Sequence, residues 1–175
     1  ILVILILDFF IWLQHLLTHK IEFLWRIHRV HHSDTEMDVS TAIRFHPIEI
    51  ALSMALKISL VYALGADPLS VLIFEILLNG SSIFNHANIN IPNRVDKIVR
   101  FLIVTPDMHR IHHSSDRIEH DTNFGFALSI WDHMFQTYKY RPERDHKEME
   151  IGLNWQDEKP QELGWSLGLP FKKNG

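Results

Sequence analysis

The chain has 175 residues, enough for one ordinary domain with a sizeable core, and a formal charge of −4, so no basic face for nucleic acid is expected. It contains no cysteine, which removes disulfides, thiolate zinc sites and iron–sulfur clusters from consideration. Its 13 histidines are several times the usual share, and most are clustered.

The first segment, Ile1 to Leu13, is apolar except for Asp8. The sequence starts inside that apolar run without an initiator Met and reads as a fragment, truncated at its N-terminus and lacking a further hydrophobic segment. His15 and His19 follow where this helix would leave a bilayer. Residues 22–32 then read as a helix carrying His28, His31 and His32 in a His-x-x-His-His pattern. Residues three and four apart on a helix share a face, so such a cluster points two or three imidazoles at one spot.

Two further apolar stretches, Ile48 to Leu64 and Leu69 to Phe84, are joined by Gly65-Ala66-Asp67-Pro68, a turn signal that makes them a helical hairpin. Each is slightly short of the roughly 20 residues of a full membrane span. A hairpin buried in a soluble protein is the alternative, and charge placement argues against it. Every Lys and Arg except Lys57 falls outside the apolar stretches, which places both basic segments on the cytoplasmic side. A hairpin crosses twice and returns the chain to the face it left, so all the histidine clusters meet on one side. Lys57 and Glu75 lie at similar distances from the turn and are expected to form an interhelical ion pair, because an isolated charge at that depth is expensive.

His86 closes the third stretch and is a further ligand candidate. His46 precedes Pro47 at the opening of the hairpin and suits an outer-shell or substrate-facing role. After Thr105-Pro106-Asp107, a helix-start signal, a second His-x-x-His-His pattern places His109, His112 and His113 on the first turns of a new helix. This copy stands about eighty residues after the first. Imidazole suits Fe, Zn, Cu and Ni, and eight clustered histidines exceed one tetrahedral zinc, so a two-metal site is expected. His120, His133 and His146 have no partner at ligand spacing and read as surface residues. The last fifth is a polar tail, residues 141–175, set apart from a membrane domain over 1–140. Within it, Gln161 to Lys173 mixes Trp165 and several leucines with Lys172-Lys173, which fits a segment at the bilayer surface or one packed on the histidine-bearing part.

These motifs, in this order, resemble the fatty acid hydroxylase/sterol desaturase superfamily. The flanking residues carry the resemblance too: Leu24-Trp25-Arg26, Arg44-Phe45-His46-Pro47, His86-Ala87-Asn88, Asn123-Phe124-Gly125 and Trp131-Asp132. It covers nearly everything from Asp8 to Tyr138. The resemblance implies an all-α integral membrane protein with a cytosolic, histidine-rich helical cap holding two iron ions, in a bacterial inner membrane or the endoplasmic reticulum. The metal ligands matching by position are His15, His19, His28, His31, His32, His86, His109, His112 and His113. Asn88 and Asn90 are placed near His86, while Asp8, Glu49, Asp107 and Asp132 are candidate outer-shell partners orienting rings through their free N–H groups. The activity implied is O2-dependent oxidation of an unactivated lipid C–H bond, hydroxylation ahead of desaturation, with electrons from a ferredoxin or cytochrome b5-type carrier. Zinc readily replaces iron in imidazole sites. A non-catalytic metal- or haem-binding membrane protein is the alternative reading, and a zinc hydrolase lacks its His-Glu-x-x-His signature. One departure stands out: the family usually shows Phe-Gly-Thr after Trp-Asp, and here Gln136 replaces the glycine. If that position needs a positive φ, an altered turn is expected.

Overall fold

The computed structural model describes residues 1–146, 148–155 and 160–172. Lys147, residues 156–159 and residues 173–175 lie outside it, so the expected basic end is described only at Lys172. Among the described residues there is no β-strand, only isolated bridges pairing Ile103 with Leu128 and Ser114 with Ile151.

Three helices are long and apolar enough to cross a membrane: α1 (Leu2–Lys20), α3 (Pro47–Leu64) and α4 (Pro68–His86). Between the first two lies α2 (Glu22–His32). The boundaries follow local chemistry. Pro47 takes the first position of α3, and the His46 ring accepts the Ile48 N–H as its cap. Gly65 ends α3 at φ +57, with Ala66 N–H reaching back to the Val61 carbonyl. Asp67 caps α4 through the Ser70 N–H, and Pro68 again takes the first turn.

Helix α3 buries only Glu49 and leaves Ile50, Leu52, Met54, Ile58 and Tyr62 bare. An apolar face of that extent calls for an apolar surrounding, which a bilayer supplies. Leu7, Ile11 and Phe74 form the small core where α1 meets the hairpin, joined by Leu60, Val61 and Leu78. The expected ion pair forms: Lys57 Nζ donates to Glu75 Oε1 at 2.6 Å. Lys57→Met leaves Glu75 without its counter-charge and is expected to cost roughly 1–2 kcal/mol. Lys57→Met/Glu75→Leu should recover most of that loss in thermal melts, and a single variant as stable as the parent would argue against a stabilising pair.

The short helices α5 (Asn93–Val99), α6 (Pro106–His112), α7 (Arg117–His120) and α8 (Ile130–Met134) follow the hairpin. Thr105 caps α6 and Pro106 opens it, as its sequence predicts. The C-terminal helix α9 (Leu163–Gly168) and the 3₁₀ turn after it pack on α2, where Trp165 and Leu169 join Val30 and Leu153 in a second core. Arg29, fully buried, donates through Nη2 to the Leu169 and Lys172 carbonyls and fastens the segment there. Leu163 and Phe171 remain exposed.

Gln136 has φ +59. The turn takes a left-handed conformation that favours glycine, and the glutamine carries the strain. Gln136→Gly is therefore expected to stabilise by about 1 kcal/mol, the left-handed penalty less glycine's extra freedom in the unfolded chain. A melting temperature roughly 2–4 °C higher would register it.

Candidate metal centre

All nine histidines singled out as ligands come together in two groups. His15, His19, His28, His32 and His112 form the first, and His31, His86, His109 and His113 the second; within each, one nitrogen per residue lies within 4.8 Å of the others. Every one of the nine is buried. The groups touch through their rings: His32 stacks on His113 at 4.5 Å and His109 on His112 at 5.2 Å.

The doublets explain this adjacency. Neighbouring residues on a helix point about 100° apart. His31 and His32 accordingly face different groups, and so do His112 and His113. Each His-x-x-His-His copy thus feeds both sites instead of gathering its three rings at one spot. His15 and His19 from the end of α1 complete the first group, and His86 from the end of α4 completes the second.

In the second group the His86 Nε2 lies 3.2 Å from His31 Nε2, 3.2 Å from His113 Nε2 and 3.1 Å from His109 Nε2. Nitrogens each about 2.1 Å from one ion stand roughly 3.0–3.4 Å apart at octahedral to tetrahedral angles, so the spacing fits a shared cation. In the first group, the Nε2 atoms of His15, His19, His28, His32 and His112 are all buried without a hydrogen-bond partner. Five buried ring nitrogens without partners in one place would be costly unless a cation takes their lone pairs.

Several tautomers are fixed by acceptor-only partners. The His15 Nδ1–H donates to the Phe124 carbonyl at 2.7 Å, His112 to the Thr122 carbonyl at 2.7 Å, and His86 to the Ser82 carbonyl at 2.7 Å. His28 Nδ1 meets Glu49 Oε1 at 2.6 Å. Each of these rings turns its Nε2 towards the other imidazoles of its group, the arrangement by which outer-shell groups orient metal ligands. Desolvation, helped by neighbouring imidazoles, holds His31, His32, His109, His112 and His113 well below the ordinary histidine pKa, so their rings are neutral at neutral pH.

The fatty acid hydroxylase family model matches residues 1–137. The chain belongs to the fatty acid hydroxylase family. Ornithine lipid hydroxylase OlsE of Rhizobium tropici is 33% identical over 138 residues, 78% of this chain and 40% of that protein. Human alkylglycerol monooxygenase is 25% identical over 142 residues (78% and 30%), and human cholesterol 25-hydroxylase 28% over 139 residues (76% and 47%). The chain thus spans less than half the length of these relatives. No solved structure matches it significantly.

The family's Asn-Phe-Gly and Trp-Asp motifs have a visible task. Asp132 accepts from Phe124 N–H, Gly125 N–H, Trp12 Nε1–H and Thr137 Oγ1–H at 2.6–3.1 Å. This clamp holds the loop whose Phe124 carbonyl orients His15. A Cβ on Gly125 would come within 2.8 Å of the Leu128 carbonyl oxygen and 2.9 Å of Asp132 Oδ2, so only glycine fits there. Asn123, at φ +55, ties the same loop to the Met108 and Lys139 carbonyls.

Other candidates stand further off. Asp8 accepts from Trp131 Nε1 and helps fasten α1 to α8. His46 caps α3 and reaches the Leu167 carbonyl at 3.3 Å, which links the hairpin to the C-terminal segment. Asn88, Asn90 and Asp107 line a separate polar depression with Arg110 and His146. His133 packs its ring on Tyr138. His120 departs from the surface reading: it is half-buried and stacks on Trp25, 5.6 Å from the His19 ring. Phe45 stacks flat on His31 at 4.3 Å, a contact that spacing could not show.

Proposed function

We propose that this chain is the catalytic part of a membrane-bound di-iron enzyme that oxidises an unactivated C–H bond of a lipid, by hydroxylation ahead of desaturation. The observation that carries it is the pair of touching all-histidine groups, one with five unpartnered Nε2 atoms and the other with its Nε2 atoms converging on that of His86. The relatives named as lipid hydroxylases and monooxygenases support the same reading.

His15, His19, His28, His32 and His112 would hold one iron, and His31, His86, His109 and His113 the other. Two iron ions held there, reduced by a separate ferredoxin or cytochrome b5-type carrier, would supply the O2 activation this chemistry requires. In hydroxylation one oxygen atom enters the C–H bond and the other leaves as water, with two electrons and two protons added. The chain's own residues provide the rest. Burial keeps the imidazoles unprotonated, the carbonyls of Ser82, Thr122 and Phe124 fix their tautomers, and Glu49 brings negative charge against His28. The bare apolar faces of α3 and α4 support a position of the centre at a membrane surface, and the flanking basic segments favour the cytoplasmic side.

The test compares lipid extracts by mass spectrometry from cells expressing the full-length gene and its His109→Ala variant. A lipid that gains one oxygen only with the intact protein is expected. One that loses two hydrogens instead would make it a desaturase. No difference, with iron bound and electron donors supplied, would overturn the enzymatic reading in favour of non-catalytic metal binding.

A further inference from the structure

Two short segments of this chain are built inside out. On α5 the charged Asp96 is buried against Arg100, whose Nη1 donates to the Tyr140 carbonyl. Ile98 and, just past the helix, Phe101 and Leu102 face outwards instead. At α8 the buried groups are Ser129 and Asp132, while Ile130, Met134 and Phe135 are bare. These six apolar side chains are 40–75% exposed. A surface bathed in water shows the reverse order, with charge outside and hydrocarbon within.

The two segments make one surface. Ser129 N–H donates to the Leu102 carbonyl, Val104 N–H to the Ala127 carbonyl, and the Phe101 ring lies 5.5 Å from that of His133. An apolar patch of this kind calls for a partner, and its height on α1 says which. Trp131 Nε1 donates to Asp8, Trp12 Nε1 donates to Asp132, and Phe135 lies against Phe9 and Trp12. Asp8 and Trp12 belong to the apolar run that opens the chain, roughly 5–10 Å before His15 along the helix axis. The patch therefore sits beside the stretch of α1 that a bilayer would cover. Its backbone suits that place. The N–H groups of Phe101, Leu102 and Ile103 donate to the Ile98 and Val99 carbonyls, and those of His133 and Phe135 to Ser129 and Trp131. Hydrocarbon demands such closure, since it offers an amide no other partner. Arg94 and Lys97, exposed on a third face of α5, have the reach to meet headgroups.

We infer that α5 with the turn after it, together with α8, forms a wedge immersed in the leaflet on the histidine side, with phospholipid acyl chains as its partner. The inference rests on the membrane reading proposed above and needs neither iron nor oxidation. It gives the metal centre a second lipid-facing flank besides the hairpin.

The experiment places the photoreactive residue p-benzoylphenylalanine in the full-length protein, one position at a time, in phosphatidylcholine nanodiscs. Irradiation joins its ketone to a neighbouring C–H group, and mass spectrometry identifies the adduct. Leu102 and Met134 carry the test. Leu72, bare on α4, marks a face of a candidate membrane span. Ile118 is equally apolar and more exposed, but it lies on α7, beside the Asp121 that binds Lys20 at the histidine end of α1. Phosphatidylcholine adducts are expected at Leu102, Met134 and Leu72, with none at Ile118. An adduct joining two copies of the chain through Leu102 would make the patch a self-interface and overturn the inference. Absence of a lipid adduct at either patch position while Leu72 gives one would overturn it too, as would an equal yield at Ile118. Absence at Leu72 as well would overturn the membrane reading and this inference together.

Discussion

His112→Ala is expected to empty the first histidine group and abolish turnover, while iron content falls from two ions per chain towards one. His112 is fully buried, its Nδ1 is committed to the Thr122 carbonyl, and its Nε2 has no hydrogen-bond partner. Losing an outer-shell partner typically costs 10–100-fold in metal affinity or activity, and loss of a ligand should exceed about a hundredfold. His31→Ala makes the complementary test, because His31 belongs to the second group and stacks on Phe45. The two variants should deplete different sites, so their iron spectra should differ although both are inactive. His146→Ala, in the polar depression away from both groups, should retain activity and two ions. His120→Ala is no longer a clean control, since its ring stacks on Trp25 beside His19. Full activity in either ligand variant would sink the di-iron proposal.

The parts of this molecule that were legible from sequence are those written in side chains at regular spacing. The three apolar stretches, the Gly-Asp-Pro turn and the Pro106 helix start all use strong local signals, and the helices appear where those signals put them. Lys57 and Glu75 were pairable because an antiparallel hairpin converts distance from the turn into depth. The histidines were equally legible as a set, but their division was not. Helical spacing groups His28, His31 and His32 on one side of α2, whereas the sites lie on either side of the His31–His32 doublet.

What sequence could not supply was the orienting layer. Three of the four groups that fix imidazole tautomers are backbone carbonyls, of Ser82, Thr122 and Phe124, and every residue type carries one. Glu49 was one carboxylate among several until the fold brought it to His28. Asp132 was expected to touch a ring directly. It acts one step further out, by holding the loop that carries the carbonyl. The turn at Gln136 shows the converse limit: the substitution is plain in the sequence, but only the fold shows that the glutamine takes a left-handed φ of +59.

That loop gives the second large effect, one that reaches the metal without touching a ligand. Asp132→Asn should lower stability by about 2–3 kcal/mol, because four donors converge on the carboxylate and an amide nitrogen cannot accept from any of them. If the amide oxygen replaces Oδ1, its NH2 meets the Gly125 N–H, and a buried donor faces a buried donor. The melting temperature should drop by roughly 5–10 °C for a chain of this size. The displaced loop would also withdraw the Phe124 carbonyl from His15, so iron should be lost about 10–100 times more readily on dilution. Gly125→Ala strikes the same loop from the other side, through a Cβ pressed against the Leu128 carbonyl oxygen and Asp132 Oδ2. If the carbonyl relay is real, both variants weaken iron binding in the same group, the one containing His15, and spare the group around His86. A variant that melts early yet keeps both ions as firmly as the parent would confine Asp132 to holding α1 and α8 together.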